Sequence, residues 1–129
     1  MKKIIYSAAI FNLIIGLIIV FFPNFYFNFL GVVVPNYQPL WQCLGMTVAV
    51  VGIGFLIAAK DYKKNWPIIF LGFIGKLLGP VLFGFYGIAN GSLPLGFLPL
   101  SICDFCWLFP FGIALYQSQT EINNFLKTK

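Results

Sequence analysis

The sequence lacks histidine and arginine, and it has few charges of either sign. Its eight basic residues are all Lys, only three residues are acidic, and charged residues make up 9% of the 129 residues, against roughly 25% in a soluble domain. Without imidazole or guanidinium groups, His general bases, His metal ligands and bidentate Arg phosphate clamps are excluded. Since 60% of the residues are apolar and 19% aromatic, we expect lipid to be the solvent.

Four long apolar stretches organise the chain. They cover residues 4–22, 40–59, 67–89 and 96–116. Each has close to the roughly 20 residues that cross a bilayer core of about 30 Å. We therefore predict an all-α integral membrane four-helix bundle, with residues 1–129 as a single four-span domain. The first stretch could instead be a cleaved secretory signal, but it runs into Pro23 without a small-residue cleavage pattern, so we expect it to be retained.

The lysines outside the spans predict the orientation. They precede the first span, separate the second from the third, and close the tail, as Lys2, Lys3, Lys60, Lys63, Lys64, Lys127 and Lys129. The connections 23–39 and 90–95 carry no charge. Because cytoplasmic loops hold Lys, we predict a multi-pass protein of the bacterial inner (plasma) membrane with both termini cytoplasmic. Lysines distributed in this way indicate membrane lipid as a partner and no nucleic acid.

The connection after the first span is too apolar for an ordinary loop. It contains Phe25, Tyr26, Phe27, Phe29 and the run Val32–Val34. Such a segment favours the headgroup region of the bilayer. We predict an interfacial segment that ends at Pro35.

Small residues recur at helical spacing in three spans. Their stripes are Ala8, Asn12 and Gly16 in the first span, Gly45, Ala49 and Gly52 in the second, and Gly72, Gly75 and Gly79 in the third. In lipid, helices associate through close backbone approach over such residues. The stripes predict tight packing among the four helices.

Two charges lie inside the spans, Lys76 in the third and Asp104 in the fourth. Counting from the predicted span ends places Lys76 about 14 Å and Asp104 about 12 Å deep. An isolated charge at that depth costs at least about 3 kcal/mol. We therefore predict that the two side chains face inward and meet near the midplane.

Other groups suggest a polar centre around this pair. Asn12 lies at a similar depth in the first span, and Ser101 is one turn from Asp104. Pro80 and Pro110 remove the helical donors to two carbonyl groups within a turn of the pair. Two interpretations stay open. The centre is either a binding or proton-relay site, or an ion pair that fixes the register of two helices, with prolines that only kink them.

Cys103 and Cys106 form a C-x-x-C in the fourth span, and Cys43 begins the second. Thiol oxidoreductases place this spacing at a helix N-terminus, where the dipole stabilises a thiolate. Here it lies in mid-span beside a carboxylate, so we expect these cysteines to pack as small residues. The distant Cys43 and the lack of His argue against zinc. We predict no metal site, no cofactor and no identifiable catalytic residue.

The residues also carry a resemblance that covers nearly the whole chain. It rests on Trp41, Gln42, Cys43, Gly45 and Met46, on Trp66, Pro67, Ile68, Gly72, Gly75, Lys76, Gly79 and Pro80, and on Asp104, Trp107, Pro110 and Phe111. The chain resembles an uncharacterised family of small bacterial four-span membrane proteins, some of which are labelled alkyl hydroperoxide reductase. That label implies peroxidatic cysteines, which require an exposed, low-pKa thiolate. The resemblance places Lys76, Pro80, Asp104 and Pro110 on motif positions, but not the C-x-x-C.

The predicted function is the binding of a small amphiphile or proton at Lys76 and Asp104. One alternative is a structural or accessory subunit that docks on a larger membrane complex or forms a homo-oligomer. Another is a quinone-linked thiol oxidoreductase that uses Cys103 and Cys106, similar to vitamin K epoxide reductase in its four spans and C-x-x-C. The chain departs from that enzyme because its first outer connection has no second Cys pair.

Overall fold

A computed structural model describes residues 1–92 and 95–127, and all regular structure in these ranges is helical. The helices are, in chain order, α1 (Lys2–Phe21), α2 (Phe25–Leu30), α3 (Gln38–Lys60), α4 (Trp66–Gly79), a π-helix (Pro80–Tyr86), α5 (Gly87–Ala89), a 3-10 turn (Leu95–Phe97), α6 (Leu98–Gln117) and α7 (Gln119–Lys127).

Four helical segments are long and apolar enough to cross a membrane. They are Lys2–Phe21, Gln38–Lys60, Trp66–Ala89 and Leu95–Gln117, with 20 to 24 residues each. Their ends agree with the predicted spans to within about two residues, the precision expected of helix boundaries. The all-α class and the four helices long and apolar enough to cross a membrane are thereby confirmed for the described residues.

The helices α1 and α3 pack closely against each other in antiparallel directions. Gly16 lies against Gly45 and Ala49, while Gly52 lies against Ala9. A Cβ atom at residue 16 would stand 2.6 Å from the backbone nitrogen of Ala49 and the carbonyl oxygen of Gly45. Only glycine fits there, so the predicted stripes of the first two spans do form a contact.

The helices α4 and α6 form a second antiparallel pair, in which the predicted third stripe is only partly correct. Gly72 is buried against Phe55 and Phe111, but Gly75 and Gly79 are exposed. The buried positions of α4 include residues 72 and 76, followed by residue 80. That i, i+4, i+8 face carries Lys76 inward and turns the two exposed glycines toward the outside.

The two helix pairs meet in an apolar core at the lysine-rich end of the molecule, the end that carries Lys2, Lys3, Lys60, Lys63 and Lys64. The core consists of Ile5, Ala8, Ala9, Phe55, Ala58, Ala59, Ile69, Phe111 and Ala114. The rings of Phe55 and Phe111 meet edge to face at its centre, with centroids 5.0 Å apart. Lys129, predicted for the same side, lies outside the described residues, as do residues 93 and 94 of the second uncharged connection.

An aromatic cluster joins the helix pairs at the opposite end. Phe27 of α2 packs on Trp41 with ring centroids 5.1 Å apart, and both contact Phe97. The Tyr26 hydroxyl donates a hydrogen bond to the Gly96 carbonyl at 3.1 Å. Burial, followed by the nearby Cys103, raises the pKa of Tyr26 above its usual range.

The apolar connection contains a short helix followed by irregular chain. α2 ends at Leu30, and the next residue, Gly31, has a left-handed φ of 64°, a conformation that favours glycine at a helix C-terminus. The predicted interfacial segment, which continues to Pro35, therefore includes α2 and the residues after it, and its position in a membrane stays a prediction. The chain between Gly31 and Pro35 is irregular, with Val33 fully exposed and Val32 partly covered.

The polar tail also contains a helix that the sequence analysis did not predict. Within α7, the apolar residues Ile122, Phe125 and Leu126 share one face. The Phe125 ring contacts Trp66 at the start of α4, with centroids 5.7 Å apart. This nine-residue helix is mostly polar. Its apolar face has only three residues, which is too few to give a clear helical pattern in the sequence.

Candidate functional site at the Lys76–Asp104 ion pair

The side chains of Lys76 and Asp104 meet as predicted. The Lys76 Nζ atom donates to Asp104 Oδ1 at 2.7 Å, a distance typical of charge-assisted hydrogen bonds. Lys76 follows the start of α4 by ten residues, or about 15 Å of helix. The pair therefore lies near the middle of the two apolar helices.

The backbone changes its hydrogen bonding directly after Lys76. Pro80 has no N–H, so the Lys76 carbonyl loses its α-helical donor, and residues Pro80–Tyr86 continue as a π-helix. Such segments are rare and often occur at functional sites. Pro110 has no comparable effect, because α6 remains α-helical from Leu98 to Gln117. Of the two predicted proline perturbations, only that of Pro80 alters the helix type.

The two charged side chains differ in burial. The Lys76 side chain is 8% exposed, whereas that of Asp104 is 37% exposed. The second carboxylate oxygen, Oδ2, faces Gly79, where an added Cβ atom would lie 3.8 Å away. Gly75 has no neighbouring atom within 4 Å of such a position. The carboxylate therefore opens onto a surface that these two glycines leave bare.

The other predicted members of the polar centre do not hydrogen-bond to the ion pair among the described residues. Ser101 is buried and packs against Gly84 of the π-helix. The contact is so close that a Cβ atom at residue 84 would collide with the Ser101 side chain. Asn12 is also buried, but its Nδ2 donates to the Ala8 carbonyl of its own helix at 3.1 Å. Ser101 thus contacts the segment next to the pair, while the amide of Asn12 is satisfied within α1.

Cys103 and Cys106 are exposed on α6, so the expectation that they pack between helices is wrong. The buried face of α6 is formed by Ser101, Phe111 and Ala114, and the two cysteines point away from it. Cys43 is exposed as well, and all three are free thiols. Within the described residues, no group of three or more Cys, Asp or Glu side chains could hold a metal ion.

Gly79, a neighbour of the carboxylate, was not predicted as part of the site. Its spacing could have indicated this position, because a residue three places after Lys76 lies on the same side of the helix. The sequence pattern had instead been interpreted as a helix-packing stripe.

Comparisons of the chain with protein-family models, with curated proteins and with solved structures gave no match. The family resemblance therefore remains a prediction, and the function is argued from the site.

Chemically, the site combines a sheltered ammonium with a half-open carboxylate. The two side chains form an ion pair, which lowers the cost of placing either charge among apolar helices. Among the described residues, Lys76 is the one donor to Asp104. In a medium of low dielectric, the remaining oxygen would bind a hydrogen-bond donor more strongly than it would in water.

Proposed function

We propose that the chain is a four-helix bundle of the bacterial inner membrane, with both termini in the cytoplasm, that binds a small amphiphile at Lys76 and Asp104. The observation that carries this proposal is the unequal burial of the pair, with Lys76 8% and Asp104 37% exposed. The positions of the lysines support the orientation. The ligand donates a hydrogen bond to Asp104 Oδ2 through a hydroxyl or amino group.

The surface around Asp104 suits the rest of such a molecule. Gly75 and Gly79 leave a shallow strip along α4, and Leu78 and Leu82 beside it are exposed. An alkyl chain can lie along this strip in place of a bilayer acyl chain. The donor group then satisfies an oxygen that lipid tails cannot, and this difference supplies the selectivity.

A purely structural ion pair would not require a particular one of the two residues to be exposed. A pair that only sets the helix register works equally well with its charges exchanged, and it gains nothing from an exposed carboxylate. Binding at Oδ2 requires the carboxylate to be the exposed partner. The double exchange Lys76→Asp with Asp104→Lys therefore separates the two roles, because it keeps an ion pair and the net charge.

A photoreactive long-chain alcohol provides the direct test. The probe carries a diazirine in its alkyl chain, and the matched probe is the same chain without the hydroxyl. We expect the alcohol to label peptides of α4 and α6 about tenfold more than the alkane does, as one hydrogen bond to a charged group allows. Mass spectrometry of the digested protein locates the label.

Variants complete the test. In the charge-exchanged protein, we expect the alcohol to label no more than the alkane does, while helix content and thermal stability remain. Equal labelling by both probes in the native protein would contradict the binding proposal. Unchanged alcohol labelling in the exchanged variant would also contradict it, and both results would favour a role in helix register.

A second candidate function is that of an accessory subunit. The observation that favours it is the exposed pair of glycines, Gly75 and Gly79, since small residues four apart are a common helix contact in membranes. Purification in mild detergent tests this candidate. A partner or second copy bound in fixed ratio supports it, particularly if Gly75→Leu releases that partner, and a monomer without partners contradicts it.

A further inference from the structure

We propose that Lys2, Lys3, Lys60 and Tyr6 form a binding site for the phosphate of an anionic phospholipid headgroup. These four residues and Ala59 line a shallow cavity, wide open to the outside and about 670 Å³ in volume, at the lysine-rich end of the molecule. The cavity lies between the start of α1 and the end of α3. It is separate from the ion pair at mid-depth, and the proposal does not depend on the function of that pair.

Positive charge is concentrated at this cavity. Three lysines contribute to its lining, and two of them, Lys2 and Lys3, occupy the first turn of α1. No acidic residue lies in that turn, and no side chain caps it. A helix N-terminus already carries partial positive charge. Lysines at this position interact unfavourably with the dipole and with one another, and a bound anion reduces that repulsion.

Within residues 1–92 and 95–127, no carboxylate pairs with these lysines. Among the described residues, the one ion pair joins Lys76 to Asp104. The nearest acidic residue in sequence, Asp61, instead accepts a hydrogen bond from the backbone amide of Lys64 at 3.4 Å. An external anion can therefore bind the three ammonium groups, and the Tyr6 hydroxyl offers one further donor.

The position of the cavity indicates a lipid as the source of the phosphate. The cavity lies where two apolar helices end, which is the headgroup level of a protein that spans a bilayer. One turn along from Tyr6 and Lys60, the side chains of Ile10 and Ile57 are about half exposed. Acyl chains can cover these isoleucines while the phosphate occupies the cavity. A free phosphate ion would use only the charged part of the site.

Native mass spectrometry of the full-length protein in detergent, with added phosphatidylglycerol or phosphatidylcholine, tests the proposal. The variant Lys2→Gln, Lys3→Gln, Lys60→Gln removes the cavity charges. Its matched control is Lys63→Gln, Lys64→Gln, Lys127→Gln, which removes three charges from the same end without touching the cavity lining. We expect the native protein and the control to bind phosphatidylglycerol at least tenfold better than phosphatidylcholine, and the cavity variant to lose that preference.

Two further measurements keep the result decisive. If the cavity variant fails to fold, the single variants Lys60→Gln and Lys127→Gln replace the triple variants, with a several-fold loss expected only for the first. Inorganic phosphate is added as a competitor at millimolar concentration. Equal loss in the cavity and control variants overturns the site. Displacement of phosphatidylglycerol by millimolar phosphate overturns the lipid source in favour of a free ion.

Discussion

At the scale of single residues, the chemistry of the protein is concentrated in one ion pair. Lys76 is largely buried, and its Nζ atom lies 2.7 Å from the carboxylate of Asp104. In the proposed membrane arrangement, either charge alone would be costly at this depth, because lipid solvates ions poorly. The two residues therefore depend on each other energetically, and replacing one changes the state of its partner.

This dependence predicts an ordering of stabilities. Asp104→Ala leaves Lys76 without a counter-charge and should destabilise the protein by about 3 kcal/mol. The double change Lys76→Met with Asp104→Leu removes both charges and should be close to neutral. Thermal unfolding in detergent, followed by circular dichroism, measures both. A double variant that is as unstable as the single one would show that the pair stabilises the fold beyond mutual neutralisation.

The exposed cysteines lead to a second prediction at this scale. Cys103 and Cys106 lie beside Asp104 in the middle of α6, whereas Cys43 is the sixth residue of α3. In membrane vesicles, a charged, impermeant maleimide should react faster with Cys43, because exposed thiols in the middle of α6 would face lipid in the proposed membrane arrangement.

The labelled sites are read by peptide mass spectrometry, and labelling after detergent solubilisation provides the control for total thiol content. We expect Cys103 and Cys106 to be reduced. A disulfide between them, or rapid labelling in intact vesicles, would instead support the thiol oxidoreductase alternative.

At the scale of helices, close backbone contact distinguishes one pair from the other. α1 and α3 approach each other over Gly16, Gly45 and Gly52, with no room for a methyl group at residue 16. The contact between α4 and α6 instead combines Gly72 with aromatic rings and the ion pair. Since lipid offers little hydrophobic drive between helices, packing of this kind supplies most of the contact energy.

A matched pair of glycine substitutions tests this difference. Gly16→Ala places a methyl group against two backbone atoms that cannot move independently, so we expect a loss of about 1–3 kcal/mol. Gly75→Ala meets open space and should stabilise α4 by up to about 1 kcal/mol, because alanine is the better helix former. Unfolding temperatures in detergent give both values. A destabilised Gly75→Ala protein would indicate that this surface is covered by a partner or second copy.

At the scale of the whole molecule, the two ends differ in charge and in packing. One end has the apolar core and five lysines, Lys2, Lys3, Lys60, Lys63 and Lys64, while the other has the aromatic cluster around Phe27, Trp41 and Phe97. Both ends join the two helix pairs, with the ion pair between them. The asymmetry of charge is the basis of the membrane orientation proposed above.

Single cysteines in a Cys-free background test that direction. We expect Asn36→Cys and Ser92→Cys to react with an impermeant maleimide added outside intact cells, because their connections carry no charge. Lys63→Cys should react only after the membrane is opened. Gel-shift detection reports each site, and a soluble cytoplasmic cysteine protein controls for leakage. Labelling of Lys63→Cys in intact cells would reverse the proposed orientation.

The sequence by itself determined the helices and the meeting of the two charges. Composition and span length determine the helices, since apolar runs of this length in lipid must satisfy their own backbone hydrogen bonds. The energetic cost of an unpaired charge determines that the side chains of Lys76 and Asp104 meet. Both are local or strongly constrained properties, so the contact between Lys76 and Asp104 could be predicted from two residues.

Only the tertiary structure decided which way each helix face turns. Gly75 and Gly79 have the same spacing as packed glycines, yet burial of Lys76 rotates them outward. Cys103 and Cys106 are exposed for a related reason, because the buried face of α6 belongs to Ser101, Phe111 and Ala114. The convergence of Lys2 and Lys3 with Lys60 likewise depends on the antiparallel contact of α1 and α3. Rotation and pairing depend on contacts distant in sequence, which a linear pattern does not contain.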